Sequence, residues 1–478
     1  MSEPARSYRF HPLERRGLLL GLGAAQLLVV GVGAAGTVVV LRAGGGLVPA
    51  VLVLLVAAGI AGLPVAGATP LQWLPLVVSW VARRAECSAP PGRSVPPPGI
   101  ALRAAPEVPG EPALGVVRDR RSGAWAAVVP VTAPAFTLLD VEDKRRKLAA
   151  WGAVLDSTAR PSSPIYRVQW LERTLPADTG MLHAHLDETV GPTGGVGPAA
   201  GGGSGRRDGP AGRGAGYRDL LGAASSGASH EVLLVVSVHP RSAGRQLRAF
   251  GHGPAAVCSL LRRELRLLAG QLRRSELEPG VPLDLPALAA AVRLGCDPLA
   301  RRSRSGTDRS AWPTAWDDGW SCARIDGRWQ ATYWVAEWPR REVGPDFLLP
   351  LLLTSVPRVV SVTMAPVPAK AAVREVETAR TAELADEELR RRAGFLATAR
   401  HRRRAEGVAN REAELADGHG ELRFAGYVGV SGSTPEQLDD AAATVEAAAQ
   451  QCGLELRRLY GRQVEAFSWT LPIGRGLG

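Results

Sequence analysis

Lysine is almost missing. Three (Lys144, Lys147 and Lys370) stand in a basic total of 57, the rest being arginine, and the formal charge over 478 residues is +11. No lysine follows a glycine, so the GxxxxGK[ST] loop that cradles nucleotide phosphates cannot be written anywhere in the chain. Cysteine is nearly as scarce: Cys87, Cys258, Cys296, Cys322 and Cys452 lie far apart. With no CxxC pair and an odd number, they exclude a zinc ribbon and a closed disulfide framework and fit free thiols in a reducing cytoplasm. Neither a GxSxG elbow nor an HExxH helix occurs, which removes the common hydrolase signatures. No catalytic, cofactor-binding or metal-ligating residue is assigned, no cofactor is implied, and the reading is of a protein that is not an enzyme.

What the sequence does have is apolar length at one end. Residues 17–41 and 47–68 carry no charge, and at about 1.5 Å per residue each run exceeds the roughly 30 Å of a bilayer interior. The link between them, Arg42 to Gly46, is short enough for a hairpin. Arg6, Arg9, Arg15 and Arg16 precede the first run and Arg83, Arg84 and Arg93 follow the second, which predicts both flanks in the cytoplasm. Ala66-Gly67-Ala68 imitates a signal cleavage site, but the first run is longer than a signal core and a second follows it. Trp73 and Trp80, seven apart and followed by Arg83-Arg84, predict an interfacial helix over 70–84. Gly31-Val32-Gly33-Ala34-Ala35-Gly36 fits GxGxxG but lies inside an apolar run with no βαβ context, whereas Gly17, Gly21 and Ala25 form a small-residue row for helix packing.

The remainder reads as mixed α and β. Pro96-Pro97-Pro98 centres an extended tether over 95–112. Two apolar runs around residues 119–123 predict a β-hairpin, Asp140 opens a helix to about Ser157, and residues 165–171 return as a strand. Residues 191–216 are glycine-dominated and read as a flexible insertion, since Gly202-Gly203-Ser204-Gly205-Arg206-Arg207 lacks the ending of a phosphate loop. A strand over 231–239, a basic amphipathic helix over 254–277 and a shorter helix over 286–294 follow. Trp312, Trp316, Trp320, Trp329, Trp334 and Trp338 crowd one stretch and read as a packed platform rather than a base-stacking surface. Residues 369–418 form a charged helical hairpin or long helix. At the end, a strand over 421–431, the capping box Ser433-Thr434-Pro435-Glu436, a helix to Cys452 stopped by Gly453, and a strand over 454–460 make a βαβ unit of ferredoxin-like type.

Weak chemical signals remain. His183 and His185, two apart, share a strand face with no second ligand pair, so a metal site is not assigned. Asp317, Asp318 and Asp326 suggest carboxylates but read more simply as turn residues.

Residues 8–84 resemble the small two-span membrane subunit of type IV secretion systems, of the VirB-three and PrgI kind. Residues 114–119, 163–171 and 466–472 resemble the N-terminal half of the CagE/TrbE/VirB-type conjugation ATPase. Residues 334–340, 345–348 and 414–419 are similar to an actinobacterial membrane-protein family encoded with conjugation and secretion components. Together the segments imply an α+β protein: a two-helix transmembrane hairpin followed by a cytoplasmic α+β region with ferredoxin-like βαβ units. The expected divisions are a membrane anchor over 1–94, the tether over 95–112, an α+β domain over 113–368, and a helical segment with the βαβ unit over 369–478.

The implied role is an inner-membrane scaffold of a type IV secretion or conjugative apparatus, multi-pass in the cell membrane with both termini cytoplasmic. Its expected partners are a separate ATPase, other membrane subunits of the apparatus and the lipid bilayer. Because the chain stops at Gly478 without a phosphate loop, energy is expected from that second polypeptide, docked at residues 421–478. The alternative is a membrane-tethered protein that binds nucleic acid and handles the transferred strand, on the strength of the arginine excess and the tryptophans.

Overall fold

In the computed structural model the described residues are 24–44, 46–62, 70–86, 96–132, 139–160, 163–176, 228–298, 307, 311–339, 341, 343–393 and 399–477. Strand β3 (Trp125–Thr132) is apolar up to its last residue, and β5 (Ala228–Val238) is apolar from Val232 to Val236. Successive side chains of a strand point to opposite faces, so such a run demands cover on both sides. The structure supplies it: Val128, Leu233 and Val235 enter one core, while Ala127, Val129, Leu234 and Val236 enter another across the sheet.

The fold is α+β around a large, mostly antiparallel sheet whose main path runs β1-β2-β3-β5-β4-β10-β11-β9-β8-β7. The order conceals a duplication. The hairpin of β1 (Ile100–Ala104) and β2 (Gly115–Asp119) leads into β3, α4 (Val141–Ala159), β4 (Ile165–Pro176), β5, α5 (Gly253–Arg274) and the short β6 (Glu278–Pro279). A second hairpin of β7 (Trp316–Asp318) and β8 (Ala323–Ile325) leads into β9 (Arg328–Glu337), a single helical turn Leu349–Leu352, β10 (Arg358–Pro366), β11 (Leu422–Gly432), α9 (Pro435–Gln451) and β12 (Glu455–Arg458). Pairing gives β6-β3-β5-β4 in one unit and β12-β9-β11-β10 in the other, the strand order of a ferredoxin-like β-α-β-β-α-β motif. A helix closes each unit: α6 (Leu285–Cys296) against β1 and β2, and α10 (Gln463–Phe467) against β7, β8 and β9. The units join edge to edge, β4 to β10 antiparallel from Val359↔Arg173 to Met364↔Val168.

Local signals explain most boundaries. The Asp140 side chain accepts from the Asp143 N–H at 2.7 Å, and that of Thr434 accepts from Gln437 N–H, capping α4 and α9. Asp326 (φ 47°) and Gly327 (φ 86°) form the two-residue turn between β8 and β9, where both positions need the left-handed region. One face of the sheet carries α4, α5 and α9; the other carries α6, α10 and the chain beyond it. That final segment is buried. The Gln169 amide donates to the carbonyls of Trp469 and Leu471 at 3.0 Å and accepts from Gly474 N–H at 2.9 Å, while Arg475 pairs with Asp119. Strand β1 lies within the stretch read as a tether and is paired along its length with β2.

Between β10 and β11 the chain leaves the sheet as two helices, α7 (Ala369–Ala393) and α8 (Ala399–Ala416). The equivalent connection in the first unit, 177–227, lies outside the described residues, and with it His183, His185 and the stretch 191–216.

The expectation of a transmembrane hairpin is overturned. Among the described residues no helix is long and apolar enough to cross a membrane. Helix α1 (Ala24–Arg42) has 19 residues and α2 (Leu47–Gly62) has 16, about 28 Å and about 24 Å at 1.5 Å rise, against the roughly 30 Å required. Helix α3 (Pro70–Glu86) has 17 residues and carries Pro75 inside. The multi-pass cell-membrane placement with cytoplasmic termini, and the transmembrane character that goes with it, are corrected by the same observation. Residues 17–23 and 63–68 of the two expected spans lie outside the described residues. The small residues that join α1 to α2 are Gly33 and Ala57, where a Cβ on Gly33 would come within 2.3 Å of the alanine methyl. Of the sequence-predicted row, Gly17 and Gly21 are outside the described residues.

Candidate functional site

The densest group of chemistry-bearing side chains lies at the seam of the two units. Glu172 on β4 pairs with the fully buried Arg358 on β10, and its other oxygen is 2.8 Å from His230 Nδ1 on β5. Arg358 also donates to the Leu352 carbonyl and, at 2.9 Å, to Thr354 Oγ1. On the opposite face Arg173 is held by Glu231 at 2.6 Å and by the Ala291 carbonyl. Every formal charge here has a counter-charge, as buried ions require. The cavity beside them, lined by Arg173, Gly295, Arg358, Gly429 and Thr470 among others, measures about 10 Å³. That is room for about one water molecule and not for a substrate.

The sequence-predicted carboxylates are also occupied with structure. Asp318 accepts from Val464 N–H at 3.1 Å and starts α10, while Asp326 caps the Thr314–Ala315 backbone and pairs with Arg293. They serve separate turns, and each is satisfied without forming a carboxylate dyad. Burial lifts the ordinary thiol value of Cys296 to about 12 despite Arg293, so it is held protonated and unreactive. Burial likewise pushes the Tyr427 phenol up to about 12, opposed by Arg167 and Arg462. Among the described residues no group of His, Cys, Asp and Glu could hold a metal ion.

The tryptophans are spent inward. Trp312 is buried, Trp316 meets Phe467 edge-on, and Trp338 meets Phe424 edge-on at 5.4 Å. Trp320 is different, because its neighbours come from the start of the chain. It lies 5.6 Å from Trp73 and 5.5 Å from Trp80, and Tyr460 closes the group at 5.6 Å from Trp73. The Trp80 indole also donates to the Asp318 carbonyl at 2.9 Å. The seven-residue spacing that suggested an interfacial belt therefore sets α3 against the β7 edge of the sheet. Its other side, Leu74, Val77, Val78 and Val81, lies outward on one helical stripe, with Leu74 63% and Val78 61% exposed.

Helices α1 and α2 continue this apolar exposure, through Leu28, Val32, Val48 (81% exposed), Leu52 and Leu55. No protein family and no curated protein matches the sequence. The segments that carry the resemblance to conjugation proteins are parts of the scaffold: 114–119 is β2 with its lead, 163–171 starts β4, and 466–472 spans the end of α10 and the buried tail. Sequence reasoning missed the joint between α3 and Trp320, whose signal was present as an unpaired aromatic stripe at i and i+7.

Proposed function

We propose that this protein is a structural component of a conjugative-transfer or type IV secretion apparatus, a rigid body onto which a separate ATPase docks. The observation that carries the reading is the exposed apolar stripe of α3, seated by an aromatic joint on a body whose seam cavity admits only one water. Exposed apolar area of this kind on consecutive helices marks a surface covered by a partner. The resemblance of the sheet-building segments to the N-terminal half of a conjugation ATPase supports the same class of machine.

The docking region read from the sequence, residues 421–478, is largely used within the chain: α9 buries Leu438, Ala442 and Val445, and Leu471 and Ile473 are in the core. The contact is accordingly assigned to α3. The test is capture of the P-loop ATPase encoded nearest this gene by the full chain, compared with a Leu74→Glu/Val78→Glu/Val81→Glu variant. Wild type captures it and hydrolyses no ATP alone, and the variant loses capture at least tenfold while keeping its circular dichroism. Hydrolysis by the protein alone, or equal capture by both forms, overturns the proposal.

A further inference from the structure

Charge is sorted along the α7–α8 arm. Residues 389–405 contain seven arginines (Arg390, Arg391, Arg392, Arg400, Arg402, Arg403, Arg404) and no acid, a net +7. The root of the arm, 369–388 and 406–421, has eleven acids against four cations, a net −7. The whole arm is thus close to neutral while its outer end is strongly basic. At about 1.5 Å per residue, the 25 residues of α7 carry this end more than about 30 Å along the helix axis from the sheet.

Ion pairs knit the root together. Arg411 pairs with Glu375 and Glu421, Arg423 with Glu375, and Arg380 with Glu412, which ties the two helices to each other and to β11. Among the described residues the end is not knit in this way. Arg391 and Arg392 are both exposed and share the single carboxylate of Glu388, and Arg402 and Arg403 are exposed with no ion pair among the described residues. A rod that only needed solvation would have mixed signs throughout, since like charges three and four apart repel.

We infer that the end of this arm binds the phosphate backbone of nucleic acid. Two arguments favour this polyanion over an acidic protein. Consecutive residues on a helix lie about 100° apart, so neighbours such as Arg391 and Arg392, or Arg402 and Arg403, spread charge around the circumference rather than presenting one face to one patch. A duplex offers one negative charge per about 1.7 Å of axis, which can meet such a spread at several points together. The tryptophans take no part, being packed inside the body or against α3, so binding is by backbone charge and indifferent to sequence.

The experiment is fluorescence anisotropy of a labelled mixed-sequence duplex with the full chain, repeated with Arg391→Glu/Arg392→Glu/Arg402→Glu/Arg403→Glu and with a root control, Arg374→Glu. About four phosphate contacts give wild type a loss of about a hundredfold in affinity between 50 and 200 mM salt. The end variant should bind at least tenfold more weakly and lose that salt dependence, the root control should bind as wild type, and all three should share one circular dichroism spectrum. Equal binding by the end variant overturns the assignment, as does wild type that fails to bind at low salt. Polyglutamate that displaces the duplex at equal charge concentration would also overturn it and assign the arm to an acidic protein.

Discussion

The first unit covers its strands with the 19-residue α4 and the 22-residue α5; the second has α9, of 17 residues, and only the turn Leu349–Leu352 where α4 has its counterpart. Both nevertheless reach the same strand order. Strand pairing fixes the order, because each ladder bond must be made somewhere, and the cover can be shortened if another group fills the place. In the second unit that group is Arg358, which reaches the Leu352 carbonyl and Thr354 of the abbreviated turn and crosses the seam to Glu172. Charge here substitutes for a helix.

If that comparison is right, the largest effect comes from Arg358→Met. The substitution keeps an unbranched side chain but leaves Glu172 buried without its cation, and a broken buried pair costs about 3–5 kcal/mol. Urea unfolding of the full chain measures it. Adding Glu172→Gln should restore about half of the loss or more; a single variant within about 1 kcal/mol of the parent would show that the seam is held by strand pairing alone.

A smaller effect separates the units by pH. Burial raises the Asp119 carboxyl, but the Arg475 hydrogen bond and charge, with the Arg121 N–H and Ser122, outweigh it and hold the group below its ordinary 3.8. A depressed folded value means stability that is present above the unfolded value and lost as pH falls through the folded one. The window therefore lies at and below 3.8, and there the final segment loosens from the first unit. Acid titration followed by exchange of the Gly474 amide should show this, and Asp119→Asn should show the loosened state already at neutral pH.

The smallest effects come from two N-caps, Asp140 in the first unit and Thr434 in the second. Asp140→Ala and Thr434→Ala should each cost about 1 kcal/mol, and the double variant should cost their sum, since the caps share no partner. Coupling above about 0.5 kcal/mol would mean that the units do not respond independently.

Much of this fold is legible locally. The hairpin around residues 119–123, the cap at Asp140 and the β11–α9–β12 run follow from turn and capping chemistry within a few residues. The duplication is hard to see locally, because it lies in pairings such as Val359↔Arg173 between residues far apart in the chain. Strand β1 hides in a proline-rich stretch, where only the alternation of Ile100 and Leu102 marks it, and both become buried. The apolar N-terminal runs differ in another way: hydropathy counts residues, whereas a span depends on continuous helix, and among the described residues α2 covers Leu47–Gly62. The candidate surface was half visible. Trp73 and Trp80 identify a face of α3, but Trp320, which meets it, is more than two hundred residues away, and no local pattern can name it. In the final segment Gly474 and Gly476 are required, because a Cβ would come within 2.5 Å of Ser237 Oγ and 2.6 Å of Thr363 Oγ1.

That buried final segment also sets a schedule. Gln169 on β4 finds its carbonyl partners 300 and 302 residues later, at Trp469 and Leu471. During synthesis, at some 5–20 residues per second, the first unit can pair its strands and dock α4 and α5 long before the opposite face has its cover. For roughly 15 to 60 seconds on that arithmetic the Gln169 amide waits for its carbonyl partners, while Leu233 and Val235 are covered only by α6. The sealing of that face by residues 469–474, of very high contact order, should be the slow phase of folding.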